Sequence, residues 1–88
     1  MQNSMQTKVI SMDEKLRSAF QTAFQLKEAE FSNDLSPEMV STWDSLGHLR
    51  LVDALQEQFG LEFAVEEIMA MENVGAIREV LRGRGVQG

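Results

Sequence analysis

The stretch from Trp43 to Gly60 constrains the fold more than any other part of the chain, because it has the pattern of a loop that becomes an amphipathic helix. Asp44 is a favourable N-cap, whose carboxylate can accept a hydrogen bond from the backbone N–H of Leu46 or Gly47. Gly60 predicts the end of the helix. Apolar residues recur between these two ends at helical spacing and predict one buried stripe, at positions 46, 49, 52, 55 and 59.

Ser45 stands at the N-terminal rim of this predicted helix, with its hydroxyl expected to face solvent. Unpaired backbone N–H groups and the positive end of the helix dipole make a helix N-terminus favourable for a phosphate. The position therefore suits a serine that carries a phosphodiester better than a serine that acts as an unaided nucleophile. His48 is the single histidine of the chain, and no acid is placed to orient its ring. We expect a surface or loop-packing role for His48 and no catalytic dyad with Ser45.

The residues before this stretch predict a first helix and a long connection. Ser11 and Glu14 have the capping-box pattern, and the apolar spacing that follows predicts a helix to about Ala29, with Phe20 and Phe24 in the core. Residues 30–44 lack long periodicity, although Ser36-Pro37 predicts a single helical turn. Four apolar residues are predicted to pin this connection to the core, namely Phe31, Leu35, Met39 and Val40.

Two more helices are predicted after Gly60. The first is short, begins near Val65, and should direct Val65, Ile68 and Met69 inward. Asn73 is a favourable N-cap for the last helix. The buried side of that helix is predicted to consist of Val74, Ile77, Val80 and Leu81. The apolar alternation at residues 61–63 has no partner strand and is not expected to form one.

The predicted fold is therefore all-α, a small four-helix bundle with a long first loop and a short third helix. Its expected boundaries are a flexible leader at residues 1–10, the helical domain at 11–82 and a disordered tail at 83–88. A chain of 88 residues with 43% hydrophobic residues can bury one modest core.

The charge and composition exclude several classes of function. A net charge of −6 disfavours a nucleic-acid binder, which needs a basic face. The absence of cysteine excludes a disulfide framework and a thiolate metal site. No apolar run approaches the ~18 residues of a membrane span, and the N-terminus lacks the apolar core of a signal peptide. We expect a cytoplasmic monomer.

The run Asp44, Ser45, Leu46, the amphipathic helix after it and its Phe59-Gly60 end resemble the acyl carrier proteins. Asp-Ser-Leu alone is weak evidence, but together with the helical segments on either side it is specific. The resemblance covers roughly residues 11 to 82. In that family the motif serine carries a 4′-phosphopantetheine arm. The resemblance therefore implies covalent attachment at Ser45, with Asp44 and Leu46 beside it.

The resemblance also implies a carrier with no catalysis of its own. A phosphopantetheinyl transferase would add the arm from coenzyme A, and the terminal thiol would hold acyl intermediates as thioesters. Further implied partners are an acyl-loading ligase or transferase, and the synthase enzymes of a lipid, polyketide or related biosynthetic pathway. Because the chain has no cysteine, the arm would supply its only thiol.

Three positions depart from the pattern of many fatty-acid carriers, which place small residues before the Asp, an acid after Asp-Ser-Leu and a glutamate five positions past the serine. Trp43, Gly47 and Arg50 stand at those places. A partner surface that expects an acid at position 50 would meet like charge there. The implication is a dedicated carrier in a specialised pathway. The predicted partner-binding residues are these three together with the acids on and after the second helix, Asp53, Glu57, Glu66 and Glu67.

Other interpretations stay open at this point. An aminoacyl or peptidyl carrier would use the same serine and the same arm, although Asp44 ahead of Ser45 favours the acyl type. A helical interaction module that is never modified is the alternative from a different class. Trp43 is expected either to pack over the first loop or to contact the arm or a partner enzyme.

Overall fold

The computed structural model describes residues 11–86, and these form four α-helices joined by loops with two single 3₁₀ turns. The helices are α1 (Met12–Phe24), α2 (Ser45–Phe59), α3 (Val65–Ala70) and α4 (Val74–Gly83), and the 3₁₀ turns are Glu28–Glu30 and Pro37–Met39. The described residues contain no strand. The predicted helical fold with a long first loop and a short third helix is confirmed.

The start of α1 is fixed by the predicted capping box. Ser11 Oγ accepts a hydrogen bond from the Glu14 backbone N–H at 3.2 Å, and the Glu14 carboxylate accepts one from the Ser11 N–H at 3.3 Å. Next to this cap, Asp13 accepts hydrogen bonds from Arg17 at 2.8 Å and from Arg78 of α4 at 2.6 Å. These two guanidinium groups hold the pKa of Asp13 below its ordinary value. The contact with Arg78 also ties the first helix to the last.

The end of α1 lies at Phe24, so the predicted extension to about Ala29 is wrong. Gln25 adopts a left-handed conformation (φ 56°) that stops the helix. Packing explains the early stop, because the ring centroid of Phe31 lies 5.3 Å from that of Phe20. In a continuous helix, Phe31 would lie about 16 Å along the axis from Phe20. The chain must therefore turn back to complete the core.

The long loop between α1 and α2 is held by apolar anchors, as predicted, with one exception. Phe31, Leu35 and Val40 are buried, whereas Met39 is exposed and does not pin the loop. Met39 ends the second 3₁₀ turn, and the next residue, Val40, takes the buried position in its place. A backbone hydrogen bond of 3.1 Å from the Val74 N–H to the Leu35 carbonyl joins this loop to the start of α4.

The buried face of α2 differs from the predicted stripe. Its buried residues are Gly47, Leu51, Val52, Ala54 and Leu55. The prediction is right at positions 52 and 55 and wrong at Leu46 and Leu49, which are 58% and 56% exposed. Both faces have helical spacing, but the buried one includes Gly47 and Ala54, which contribute little apolar side chain to the pattern. Gly60 ends the helix as predicted, with φ 64°.

The third helix has no buried residue. Val65 and Met69 are exposed, so their predicted inward orientation is wrong, and Ile68 is half-buried. The apolar anchors stand instead on either side of this short helix, where Phe63 and Met71 are buried. The segment is therefore held to the core mainly by its two ends.

The last helix follows its prediction closely. Asn73 Oδ1 accepts a hydrogen bond from the Ala76 N–H at 2.7 Å and caps α4. Val74, Ile77 and Leu81 are buried and Val80 is half-buried. Amphipathic spacing is a strong signal in a helix with one wide contact face.

The chain after α4 continues to pack against the domain as far as the described residues reach. The Val86 N–H donates to the Leu81 carbonyl at 3.0 Å, and Val86 lies against the core. Arg84 donates hydrogen bonds to the Glu62 carbonyl at 2.9 Å and to the Glu67 carboxylate at 2.8 Å. The disordered tail predicted from residue 83 is thus wrong for residues 83–86. The predicted leader at 1–10 and residues 87–88 lie outside the described part of the chain.

No helix within residues 11–86 has the length and apolar character to cross a membrane.

Candidate attachment site at Ser45

The serine singled out from the sequence is the first residue of α2, and its side chain is exposed. Asp44 is the N-cap, as predicted, because its Oδ1 accepts a hydrogen bond from the Gly47 N–H at 2.8 Å. The Asp44 carbonyl accepts a second bond from the His48 N–H at 2.7 Å. The first N–H groups of a helix have no acceptor within the helix and lie at the positive end of its dipole. The turn therefore presents a hydroxyl where an anionic substituent is stabilised.

Trp43 packs mainly into the core. Only 4% of it is exposed, and its ring centroid lies 5.3 Å from that of Phe20 and 5.6 Å from that of Phe24. These contacts confirm the packing interpretation. The indole also lines the groove beside Ser45, and its place in a partner-binding surface stays a prediction.

His48 links the loop before Ser45 to the third helix. Its Nδ1 accepts a hydrogen bond from Trp43 Nε1–H at 2.9 Å, and its Nε2 lies 2.9 Å from the Ile68 carbonyl oxygen. A neutral ring with its hydrogen on Nε2 satisfies both partners. Both ring nitrogens are therefore engaged away from the Ser45 hydroxyl, and the expected packing role of His48 is confirmed.

Gly47 is buried where the loop crosses the start of α2. A Cβ atom at this position would overlap the Thr42 carbonyl oxygen and would lie 3.1 Å from the Phe24 ring. Any larger residue must displace the loop backbone. The glycine permits close packing below the serine, and its role in partner binding stays a prediction.

A groove of about 850 Å³ opens beside Ser45, within the size range of small-molecule sites. One wall is formed by the start of α2, with Ser45, His48 and Leu49, and the opposite wall by Ile68 and Met69 of α3. The second 3₁₀ turn closes one side. The exposed hydroxyl, the helix N-terminus and the adjoining groove together fit a serine-linked phosphodiester whose chain lies along the protein surface.

A protein-family model described as the phosphopantetheine attachment site matches residues 14–81, which extend from α1 to α4. The chain belongs to this family. Domains of this family carry a 4′-phosphopantetheine prosthetic group and are carriers rather than enzymes. The resemblance to carrier proteins, the cofactor and the non-enzymatic role are thereby confirmed. No curated protein matches the carrier.

Several large apolar side chains of the carrier are exposed on the second 3₁₀ turn, α2 and α3. Five such side chains among the described residues are more than half exposed, namely Met39, Leu46, Leu49, Val65 and Met69. Leu49 and Met69 line the groove itself. Exposed apolar side chains beside a groove are typical of interaction sites. The sequence pattern assigned all five to the interior, so their exposure was missed. No local feature distinguishes such residues from core residues, because both have helical spacing.

The charged residues predicted to bind partners fall into two groups on the carrier. Arg50, Asp53 and Glu57 line a shallow depression on the flank of α2 that faces α1. Glu66 is exposed on α3. Glu67 is occupied within the fold, because its carboxylate accepts the Ala64 N–H at 2.8 Å and pairs with Arg84 at 2.8 Å.

Proposed function

We propose that the 4′-phosphopantetheine arm of this carrier is attached to Ser45 and holds acyl intermediates as thioesters. The observation that carries the proposal is the position of Ser45, an exposed hydroxyl at the N-terminus of α2 that opens onto the groove. Asp44 fixes the start of the helix, and Leu46 lies beside the serine at the surface. In attachment, Ser45 Oγ forms a bond to the β-phosphorus of coenzyme A while the pyrophosphate bond breaks. Adenosine 3′,5′-bisphosphate leaves, and the hydroxyl proton passes to a base of the transferase.

The proposed setting is a specialised lipid, polyketide or related pathway in the cytoplasm, with the carrier acting as a monomer. Its partners would be a phosphopantetheinyl transferase, an acyl-loading ligase or transferase, and the downstream synthase enzymes. Arg50 supports a dedicated partner set, because it places positive charge where many fatty-acid carriers present an acid. Asp53 and Glu57 line the same depression as Arg50 and supply negative charge there, and Glu66 is a further exposed acid on α3.

Incubation with coenzyme A and a broad-specificity transferase should add one phosphopantetheinyl unit, at Ser45. Intact-mass and peptide mass spectrometry measure the adduct and its position. Ser45→Ala should fold like the wild type and stay unmodified, because its only change is the loss of an exposed hydroxyl. The matched control is Ser41→Ala, which removes an exposed serine hydroxyl from the loop just before α2 and should be modified at the wild-type rate.

Modification of Ser45→Ala, or no modification of the wild type by several transferases, would refute attachment at Ser45. The second result would favour the unmodified interaction module. The mass of the group found on the arm after isolation from cells then separates an acyl carrier from an aminoacyl or peptidyl carrier.

Arg50→Glu should raise the turnover of the arm-bearing carrier by general fatty-acid synthase enzymes several-fold at low salt, and should weaken turnover by its own partner. A charge at the edge of a contact acts mainly on the association rate. The gain should shrink as salt rises, because the Debye length falls to ~10 Å at 0.1 M. Initial rates with one synthase enzyme across a salt series measure the effect.

Arg82→Glu is the charge-matched control, because Arg82 is an exposed arginine of α4 that lies outside the depression containing Arg50. It makes the same change in net charge and should leave these rates nearly unchanged. Equal effects of the two variants would attribute the change to net charge. Equal rates for Arg50→Glu and the wild type at low salt would place Arg50 outside the recognition surface.

A further inference from the structure

The third helix forms one wall of the groove beside Ser45, yet its own residues make few contacts with the rest of the domain. None of its six residues is buried, and Ile68 alone among its large apolar side chains packs against the core. Its side-chain ties are the partly exposed pair between Glu67 and Arg84 and the hydrogen bond between His48 and the Ile68 carbonyl. Ion pairs that water reaches contribute little to stability. The bond from His48 is therefore the main polar link from α3 to the start of α2.

The imidazole of His48 is itself held by a residue that packs in the centre of the core. His48 Nδ1 receives the Trp43 indole N–H at 2.9 Å, and the two rings are nearly parallel, with 11° between their planes. Trp43 is itself seated against Phe20 and Phe24. A continuous chain of contacts thus runs from the core through the Trp43 indole and the His48 imidazole to the backbone of α3. Ser45 lies between Trp43 and His48 in the sequence, within the short segment that their hydrogen bond closes.

We propose that His48 is a positioning residue that holds α3 across the groove and so maintains the surface that a transferase contacts when it modifies Ser45. The inference rests on the proposed attachment at Ser45. His48 contributes no chemistry, because both of its nitrogens bond other partners. Its effect is on the fraction of carrier molecules in which the groove is formed. A smaller fraction lowers apparent affinity in proportion.

The first test concerns the chain before modification and does not involve the transferase. His48→Ala should speed hydrogen exchange of the α3 amides on the order of tenfold, as expected for the loss of one hydrogen bond that restrains a local opening. The Trp43 indole N–H resonance should move to the position of a water-exposed indole. Amides of α1 and α4 should exchange as in the wild type.

The second test measures modification kinetics of the same variants. His48→Ala should raise the KM of the transferase for the carrier several-fold and leave kcat nearly unchanged, because the serine and its Asp44 cap are intact. His48→Gln should restore both measurements, since a carboxamide offers an acceptor oxygen and an N–H donor for the same two partners. His48→Leu fills the space without either bond and should behave like His48→Ala.

These readouts separate the two proposals. If no transferase modifies the wild type, attachment at Ser45 fails, while the exchange data still report on the link to α3. Unchanged α3 exchange in His48→Ala would overturn the positioning role and leave the attachment proposal standing. Recovery of exchange and KM by His48→Leu to the same extent as by His48→Gln would also overturn it, because packing alone would then account for the effect.

Discussion

Replacing Phe20 with alanine should lower the free energy of unfolding by about 3–5 kcal/mol, the usual loss for a buried phenylalanine. Phe20 has no exposed surface. Its ring meets those of Phe24, Phe31 and Trp43 edge-on, with centroids 5.7, 5.3 and 5.3 Å away. The truncation removes these contacts and leaves a cavity where α1, the long loop and the start of α2 converge. A domain of this size is expected to have a total stability of ~5 kcal/mol, so the variant should be close to unfolded.

Urea denaturation followed by circular dichroism measures this loss. Val65→Ala is the surface control, because Val65 is 67% exposed, and it should change stability by no more than ~0.5 kcal/mol. A loss below ~1 kcal/mol for Phe20→Ala is incompatible with the cost of emptying a core site. It would mean that the ring is not at the centre of the core.

Gly47→Ala should cost about 3 kcal/mol, at the upper end of the usual penalty for overpacking. The added methyl group would overlap the Thr42 carbonyl oxygen, which is backbone and cannot rotate away as a side chain does. The sign of the effect is informative, because alanine is otherwise favoured over glycine in a helix by ~1 kcal/mol. For the same reason, a charge introduced at position 47 cannot be used to probe partner recognition.

The matched control is Gly83→Ala in the last turn of α4, where an added Cβ would meet no atom within 4 Å. This variant should be neutral or more stable by up to ~1 kcal/mol. Chemical denaturation of both variants in parallel gives the comparison. Similar stabilities for the two would show that the loop at Thr42 moves aside freely and that Gly47 is not required for close packing.

The features that sequence reasoning predicted correctly are local. The capping box of Ser11 and Glu14, the N-caps Asp44 and Asn73, and the Gly60 stop each join groups only a few residues apart. Their geometry is set almost entirely by neighbouring residues, so a short stretch contains the whole interaction. The position of Ser45 at the start of a helix follows from the same local information.

The predictions that failed concern which face of an element meets the rest of the fold. Leu46 and Leu49 have the spacing of a core stripe, yet α2 packs through the face that contains Gly47. Only a glycine at that position lets the loop approach the helix. Partner-facing and core-facing residues are both apolar at helical spacing. A helical pattern alone therefore cannot distinguish them.

Long-range contacts were the other source of error. The hydrogen bond between His48 and the Ile68 carbonyl joins residues 20 positions apart. Likewise, α1 stops at Phe24 because Phe31 must return to Phe20. Neither contact can be predicted from a short stretch of sequence. Each depends on where the completed core places a distant segment.

Trp43 gives the carrier a spectroscopic probe at the place where function is expected. The chain has one tryptophan and no tyrosine, so its ultraviolet fluorescence arises almost entirely from an indole that is 4% exposed and close in sequence to Ser45. A buried indole emits at a shorter wavelength than a hydrated one. Opening of the loop would therefore appear as a red shift, and a partner or attached group that reaches the groove would alter the emission intensity. Events at this turn can thus be followed in the unlabelled protein in real time.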